Sequence, residues 1–161
     1  MKILKYLLIV NALVIFGGLS DFAQTTEKPA NPGYDAELAT KLGADQYGMR
    51  NYVLAILKTG PKDALIKGLE RDEAFKGHMA NIGRMAAAGQ LAVAGPFGEN
   101  DKGFRGIFIF NVKTIEEAGK LTETDLAVKA GIFVVDIIPW YGTAALMQVN
   151  GLHKKLASTS F

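Results

Sequence analysis

Four segments with strand character and two with helical spacing, in the order β-α-β-β-α-β, predict an α+β fold. The plan is a ferredoxin-like sandwich, with both helices on one face of an antiparallel sheet. A second observation sharpens this. The strand segments are apolar on both faces, whereas a sheet covered on one side alternates apolar with polar. Two helices cover one face, so the other calls for a partner, and a second copy of the same chain is the simplest one. A third is size: 161 residues, 49% hydrophobic and 21% charged, suit one domain with a real core.

The elements follow in order. "RNYVLAILKTGP" (50–61) is rich in β-branched, aromatic and aliphatic residues and stops at Gly-Pro, the mark of a strand. The following stretch, 63–89, has helical spacing, with Leu65, Leu69, Phe75, Met79, Ile82 and Met85 on one arc. Gly89 is placed to end this helix, while Gly68 and Gly77 each weaken it by about 1 kcal/mol relative to Ala. "QLAVAGPF" is the second strand, ending at Pro96, and "GENDKG" a hairpin loop. "FRGIFIFNV" (104–112) is the third strand, with Phe108 and Phe110 pointing one way and Ile107 and Ile109 the other. Thr114 and Glu117 form a capping box at the start of the second helix. "GIFVVDIIPW" (131–140) is the fourth strand, with Asp136 an unusual carboxylate among apolar neighbours. Trp140 and Tyr141 are expected to close the sheet edge.

The flanks read differently. "MKILKYLLIVNALVIFGGLSDFAQ" carries Lys2 and Lys5, an apolar run from Tyr6 to Phe16, then small residues. This is the order of a secretory signal peptide (1–23) cut near Ala23, giving a periplasmic or secreted protein. The alternative is an uncleaved anchor, but the run falls short of the ~20 apolar residues that span a bilayer and Asn11 interrupts it. Residues 24–49 read as a linker, with Pro29, Pro32 and Gly33, and a short helix over Asp35–Leu42 ending at Gly43. The domain proper is 50–142. The tail, 143–161, is partly helical, and His153 in it is expected to be exposed.

Composition excludes several classes of function. Net charge is +2, and removing Lys2, Lys5 and Asp21 with the leader takes it to +1. No Lys/Arg stripe is present, which argues against nucleic-acid binding. There is no cysteine and there are two histidines in all, so neither a thiolate nucleophile nor a multi-histidine metal site is expected. No glycine-rich loop sits between a strand and a helix N-terminus to cradle phosphate. No cofactor and no metal are expected, and after leader cleavage no membrane contact.

His78 lies at the edge of the inward arc of the first long helix, seven residues after Arg71, so the two share a stripe. It reads either as a working group or as a buried structural histidine. Arg71 is either a solvated helix charge or the holder of an anionic substrate group. Gly95 and Pro96 either shape a pocket wall or end a strand.

The segments "YVLAILKTGP", "HMANIGRMAAAGQLAVAGPFG", "RGIFIFNVKTIEEA" and "TDLAVKAGIFVVDIIPWYG", between Tyr52 and Gly142, together resemble the YCII-related family of small dimeric α+β-barrel proteins. The resemblance implies a dimeric α+β barrel, with a histidine of the first helix and an aspartate after the second helix as a catalytic pair. These carry over to His78 and Asp125. Leu126 stands where the family usually has proline, so the carboxylate is kept without the rigid φ. Asp125 also reads as a simple helix or turn cap. The family contains a dehydrochlorinase-type enzyme. What carries over is a cofactor-independent lyase- or isomerase-type reaction on a small organic acid or phenol. The other open readings are a dimeric module that captures a small ligand unchanged, and a purely structural assembly domain.

Overall fold

The computed structural model describes residues 31–159. The leader expected over 1–23 and the start of the linker lie outside the described residues. Strands β1 (Met49–Thr59), β2 (Leu91–Pro96), β3 (Phe104–Phe110) and β4 (Phe133–Thr143) form one four-stranded sheet in the order β2-β3-β1-β4, with every adjacent pair antiparallel. This is the ferredoxin-like order, in which β3 lies between the two strands joined by the first long helix. The helices are α1 (Ala36–Leu42), α2 (Gly68–Ala87), α3 (Ile115–Thr122), α4 (Leu126–Lys129) and α5 (Val149–Leu156), with a 3₁₀ turn over Ala144–Gln148 before the last.

Local chemistry sets the ends. Asp35 caps α1 by accepting from Leu38 N, and Gly43 closes it in the left-handed region at φ 66°. Thr114 Oγ1 accepts from Glu117 N (3.1 Å), while the Glu117 carboxylate reaches back to Lys113 N (2.8 Å). The box therefore closes one residue before the cap. Gly89 follows the end of α2 with φ 69°.

The first long helix starts five residues later than its spacing suggested. Residues 61–65 form a turn, so Leu65 precedes α2, and Gly68 opens the helix at φ 54° instead of interrupting it. The expected apolar arc is corrected accordingly: Leu65 and Leu69 are solvent-exposed and Met79 is partly so. The buried stripe is Ala74, His78, Asn81 and Met85, spaced one turn apart. Gly77 is required by packing. A Cβ there would lie 2.6 Å from Leu126 Cγ and 3.0 Å from its Cβ, so α2 passes α4 closely beside His78.

The two sheet faces bury different sets. Against the helices, Val53, Ala55, Leu57, Phe108, Phe110 and Phe133 pack with Ala74, Met85, Ala118 and Ala127. On the other face Tyr52, Ala92 and Ile109 are buried, packed with Trp140, Leu146 and Met147. That cover comes from the 3₁₀ turn and α5, pinned when Asn150 Nδ2 donates to Leu91 O on edge strand β2 (2.7 Å). The tail is thus part of the fold, and residues from Asp35 onward form one compact unit, α1 included. Toward the opposite end of β1 and β4 the same face keeps Ile56 and Ile107 half-buried and Val134 and Ile138 exposed. Asp136 is not buried: it lies half-exposed on this face, paired with Lys58 at 2.7 Å.

Candidate active site

His78 is delivered to the sheet by the buried stripe of α2, and Asp125 by the single turn of α4. The two residues are 47 apart in sequence and meet at 2.7 Å, His78 Nδ1 to Asp125 Oδ2, with the carboxylate fully buried and the imidazole nearly so. Asp125 is also the N-cap of α4. Its Oδ1 accepts from Ala127 N (2.9 Å) and Val128 N (3.3 Å). The cap and the histidine partner are one side chain, with one oxygen for each task. A buried carboxylate needs such compensation, and three donors supply it.

An ionised carboxylate only accepts, so Nδ1 carries a proton, and in the neutral imidazole the lone pair is then on Nε2. Among the described residues Nε2 has no hydrogen-bond partner. Three phenylalanines surround the ring. Phe108 stacks on it (5.9 Å between centroids, 27°), and Phe75 (6.2 Å) and Phe133 (5.4 Å) present edges. The imidazole orientation is therefore fixed by one short charge-assisted bond and by packing on three sides. What remains is one ring nitrogen without a partner, beside three phenylalanine rings.

Behind Asp125, Asn81 sits one turn beyond His78 on the same helix. Its Oδ1 accepts from Arg84 Nη2 (2.7 Å) and from Thr124 Oγ1 (3.0 Å). This network braces the residue that precedes the carboxylate. Sequence reasoning missed it, because no motif joins residues 81, 84 and 124.

The remaining expected site residues fare differently. Arg71 lies over the Phe75 ring (5.1 Å), next to the site, but its guanidinium is engaged: Nη2 pairs with Asp63 Oδ1 (2.8 Å) and Nη1 with Asp63 O (3.0 Å). Gly95 and Pro96 lie opposite Ile107 and Gly106 on edge strand β2, and no described hydrogen bond or ring contact joins them to His78. A Cβ on Gly95 would meet nothing within 4 Å; the close approach is at Gly106, where a Cβ would lie 2.8 Å from the Gly95 carbonyl. A hollow of about 320 Å³ lies beside the β2–β3 loop, between Thr59, Phe97, Asn100 and Arg105; His78 does not line it. Arg105 was not anticipated. It reaches the Phe133 ring (5.9 Å) and lies 3.8 Å from Asp63. Among the described residues no three His, Cys, Asp or Glu side chains gather as metal ligands, and no helix is long and apolar enough to cross a membrane.

Comparison with known proteins bears on the domain as a whole. The family model described as the YCII-related domain matches residues 52–141. No curated protein matches the chain. Among solved structures, the chain is similar to 5-chloro-2-hydroxyhydroquinone dehydrochlorinase from Burkholderia phenoliruptrix AC1100, in complex with 2,5-dihydroxybenzoquinone. The identity is 24% and the TM-score 0.40, covering 55% of this chain and 92% of that one.

Proposed function

This chain belongs to the YCII-related family, and from that premise we propose that it is an exported, homodimeric enzyme using His78 as general base on a small organic acid or phenol. The observation that carries the reading is the 2.7 Å bond from buried Asp125 to His78 Nδ1. It holds the imidazole in the tautomer whose Nε2 accepts a proton. In the reaction Nε2 takes a proton from the substrate, and the freed electron pair forms a new double bond. In an elimination, a leaving group departs from the adjacent atom with its own electron pair. In an isomerisation, the imidazolium returns the proton to another carbon. Asp125 stabilises the imidazolium between the two steps, and Phe75, Phe108 and Phe133 exclude water from its flanks.

A screen of small halogenated phenols, lactones and enol acids tests this. Turnover should appear in the intact protein and vanish in His78→Ala. Turnover that survives His78→Ala defeats the assignment. One observation favours a second reading, a dimeric module that binds a small ligand unchanged: the His78 side chain is only 11% exposed, which suits enclosure as well as catalysis. A compound that moves His78 resonances and is recovered unaltered selects that reading.

The dimer rests on the half of the open sheet face that α5 leaves bare, around Ile56, Ile107, Val134 and Ile138. A second copy packed there with two-fold symmetry makes the α+β barrel. Export rests on the order of charged, apolar and small residues in 1–23. N-terminal sequencing of protein from the producing cell should begin at or near Gln24, and an intact Met1 in a membrane fraction speaks for an anchor.

A further inference from the structure

We infer that Arg105 is the substrate-anion anchor of this site, and that the ligand is a small planar ring bearing a carboxylate. The inference rests on His78 being the reacting group, and adds the substrate class and the residue that selects it.

The first support is backbone geometry. Between β1 and β3, Leu57 pairs with Gly106 and Lys58 with Phe104, so Arg105 is an extra residue in β3. Without a bulge, strand alternation would send Arg105 to the face of Ile107 and Ile109, away from the helices. A bulge re-aims one side chain, and here the Arg105 guanidinium arrives 5.9 Å from the Phe133 ring centroid, on the helix face. The same ring lies 5.4 Å from the imidazole. The base and the cation thus pack against the same Phe133 ring, which lies between them, and their separation is on the scale of one substituted ring lying beside it.

The second support is the hydrogen-bonding account of the two arginines. Asp63 faces both. Arg71 takes Oδ1 at 2.8 Å and the Asp63 carbonyl at 3.0 Å. Arg105 approaches Oδ2 only to 3.8 Å and makes no side-chain hydrogen bond among the described residues. Its side chain is 38% exposed and lines the hollow of about 320 Å³. The wall of that hollow is braced: Asn100 Oδ1 accepts from Phe104 N (3.0 Å), and its Nδ2 donates to Phe104 O (2.8 Å) and Gly98 O (2.9 Å). Glu99 also lines the hollow, so the anion must be placed by the guanidinium itself and not by a diffuse positive field. A guanidinium with its donors uncommitted is suited to bidentate capture of a carboxylate. Arg71, with Nη1 on the Asp63 and Ile66 carbonyls and Nη2 on the Asp63 carboxylate, holds the 61–66 turn in place.

The probes are 4-hydroxybenzoate and its neutral isostere 4-hydroxybenzamide, titrated into wild type, Arg105→Gln and Arg105→Lys while His78 ring resonances are followed by NMR. Wild type should bind the carboxylate roughly tenfold more tightly than the amide, the scale of one charge-assisted pair. Arg105→Gln should abolish the preference while the amide binds as before, and Arg105→Lys should restore part of it. A role of Arg105 confined to packing on Phe133 would weaken both probes alike and leave their ratio unchanged; that result overturns the inference. So does a ratio near one in wild type with both probes moving His78. If neither probe moves His78, the reading of His78 as the site fails, and the Arg105 assignment fails with it.

Discussion

Replacing Asp125 separates its two tasks. In Asp125→Asn the side-chain oxygen still caps α4, accepting from Ala127 N and Val128 N. The amide NH₂ then faces His78 Nδ1 where a carboxylate oxygen stood. Two donors cannot pair, so the imidazole must move its proton to Nε2 and let Nδ1 accept. A charge-assisted bond, worth about 1.5–3 kcal/mol, becomes a neutral one worth about 0.5–1.5, and the loss is about 1–2 kcal/mol. Asp125→Ala removes both tasks. The missing cap costs about 1 kcal/mol and the buried imidazole donor left without a partner about 1–3, together about 2–4 kcal/mol. Urea denaturation monitored by the Trp140 fluorescence should therefore rank wild type above Asn and Asn above Ala, with a gap of about 1–2 kcal/mol between the two variants. Turnover should be lost in both, because Nε2 is protonated in one and the ring is unheld in the other. Equal destabilisation by Asn and Ala would refute the division of labour between the two carboxylate oxygens.

Three further outcomes are expected. By light scattering the wild type is expected to be a dimer and Ile107→Lys or Ile138→Lys a monomer, whereas a wild-type monomer at micromolar concentration would defeat the packing argument; Phe108→Lys is no test of that sheet face, because Phe108 stacks on His78. Gly77→Ala gains about 1 kcal/mol of helix propensity but drives a methyl into Leu126, an overpacking cost of about 1–3 kcal/mol. It should be neutral to destabilising in urea, and adding Leu126→Ala should return it above wild type; a gain in the single variant would show that α2 and α4 are not in close approach. The Tyr141 hydroxyl donates to Asp45, which raises the phenol to about 12 and lowers the carboxyl below its usual value. The tyrosine's contribution to stability is thus present below pH 10 and lost as pH rises through about 12, while that of Asp45 is lost as pH falls through its lowered value. In a spectrophotometric titration the phenolate step near pH 12 should shift down in Asp45→Ala, and an unchanged step would refute the pairing.

The order of elements was legible because each strand carries β-branched and aromatic residues between Gly, Pro and polar breaks, and Thr114–Glu117 marks a helix start by itself. The direction of α2 was less so. Leu65 and Leu69 fit a helical arc on paper, but the chain turns through 61–65 and the buried stripe falls on Ala74, His78, Asn81 and Met85. A single turn such as α4 has too few residues for any periodicity, so Asp125 came from family resemblance and not from spacing. The second sheet face was legible as apolar, but its division between α5 and an uncovered half depends on where the tail docks. Arg105 was hidden for a physical reason: a bulge is a property of strand pairing, and without the register of Leu57 and Lys58 the alternation rule places that side chain on the wrong face.

The central claim is that Asp125 holds His78 with its proton on Nδ1 and its Nε2 lone pair free. Long-range ¹H–¹⁵N correlation of histidine-labelled protein reads this directly at about pH 8.5, where an imidazole is neutral, with His153→Gln assigning the two rings. The account predicts a protonated, pyrrole-type Nδ1 and an unprotonated, pyridine-type Nε2 for His78 in wild type, with the two exchanged in Asp125→Asn. A wild-type ring protonated on Nε2 would contradict it.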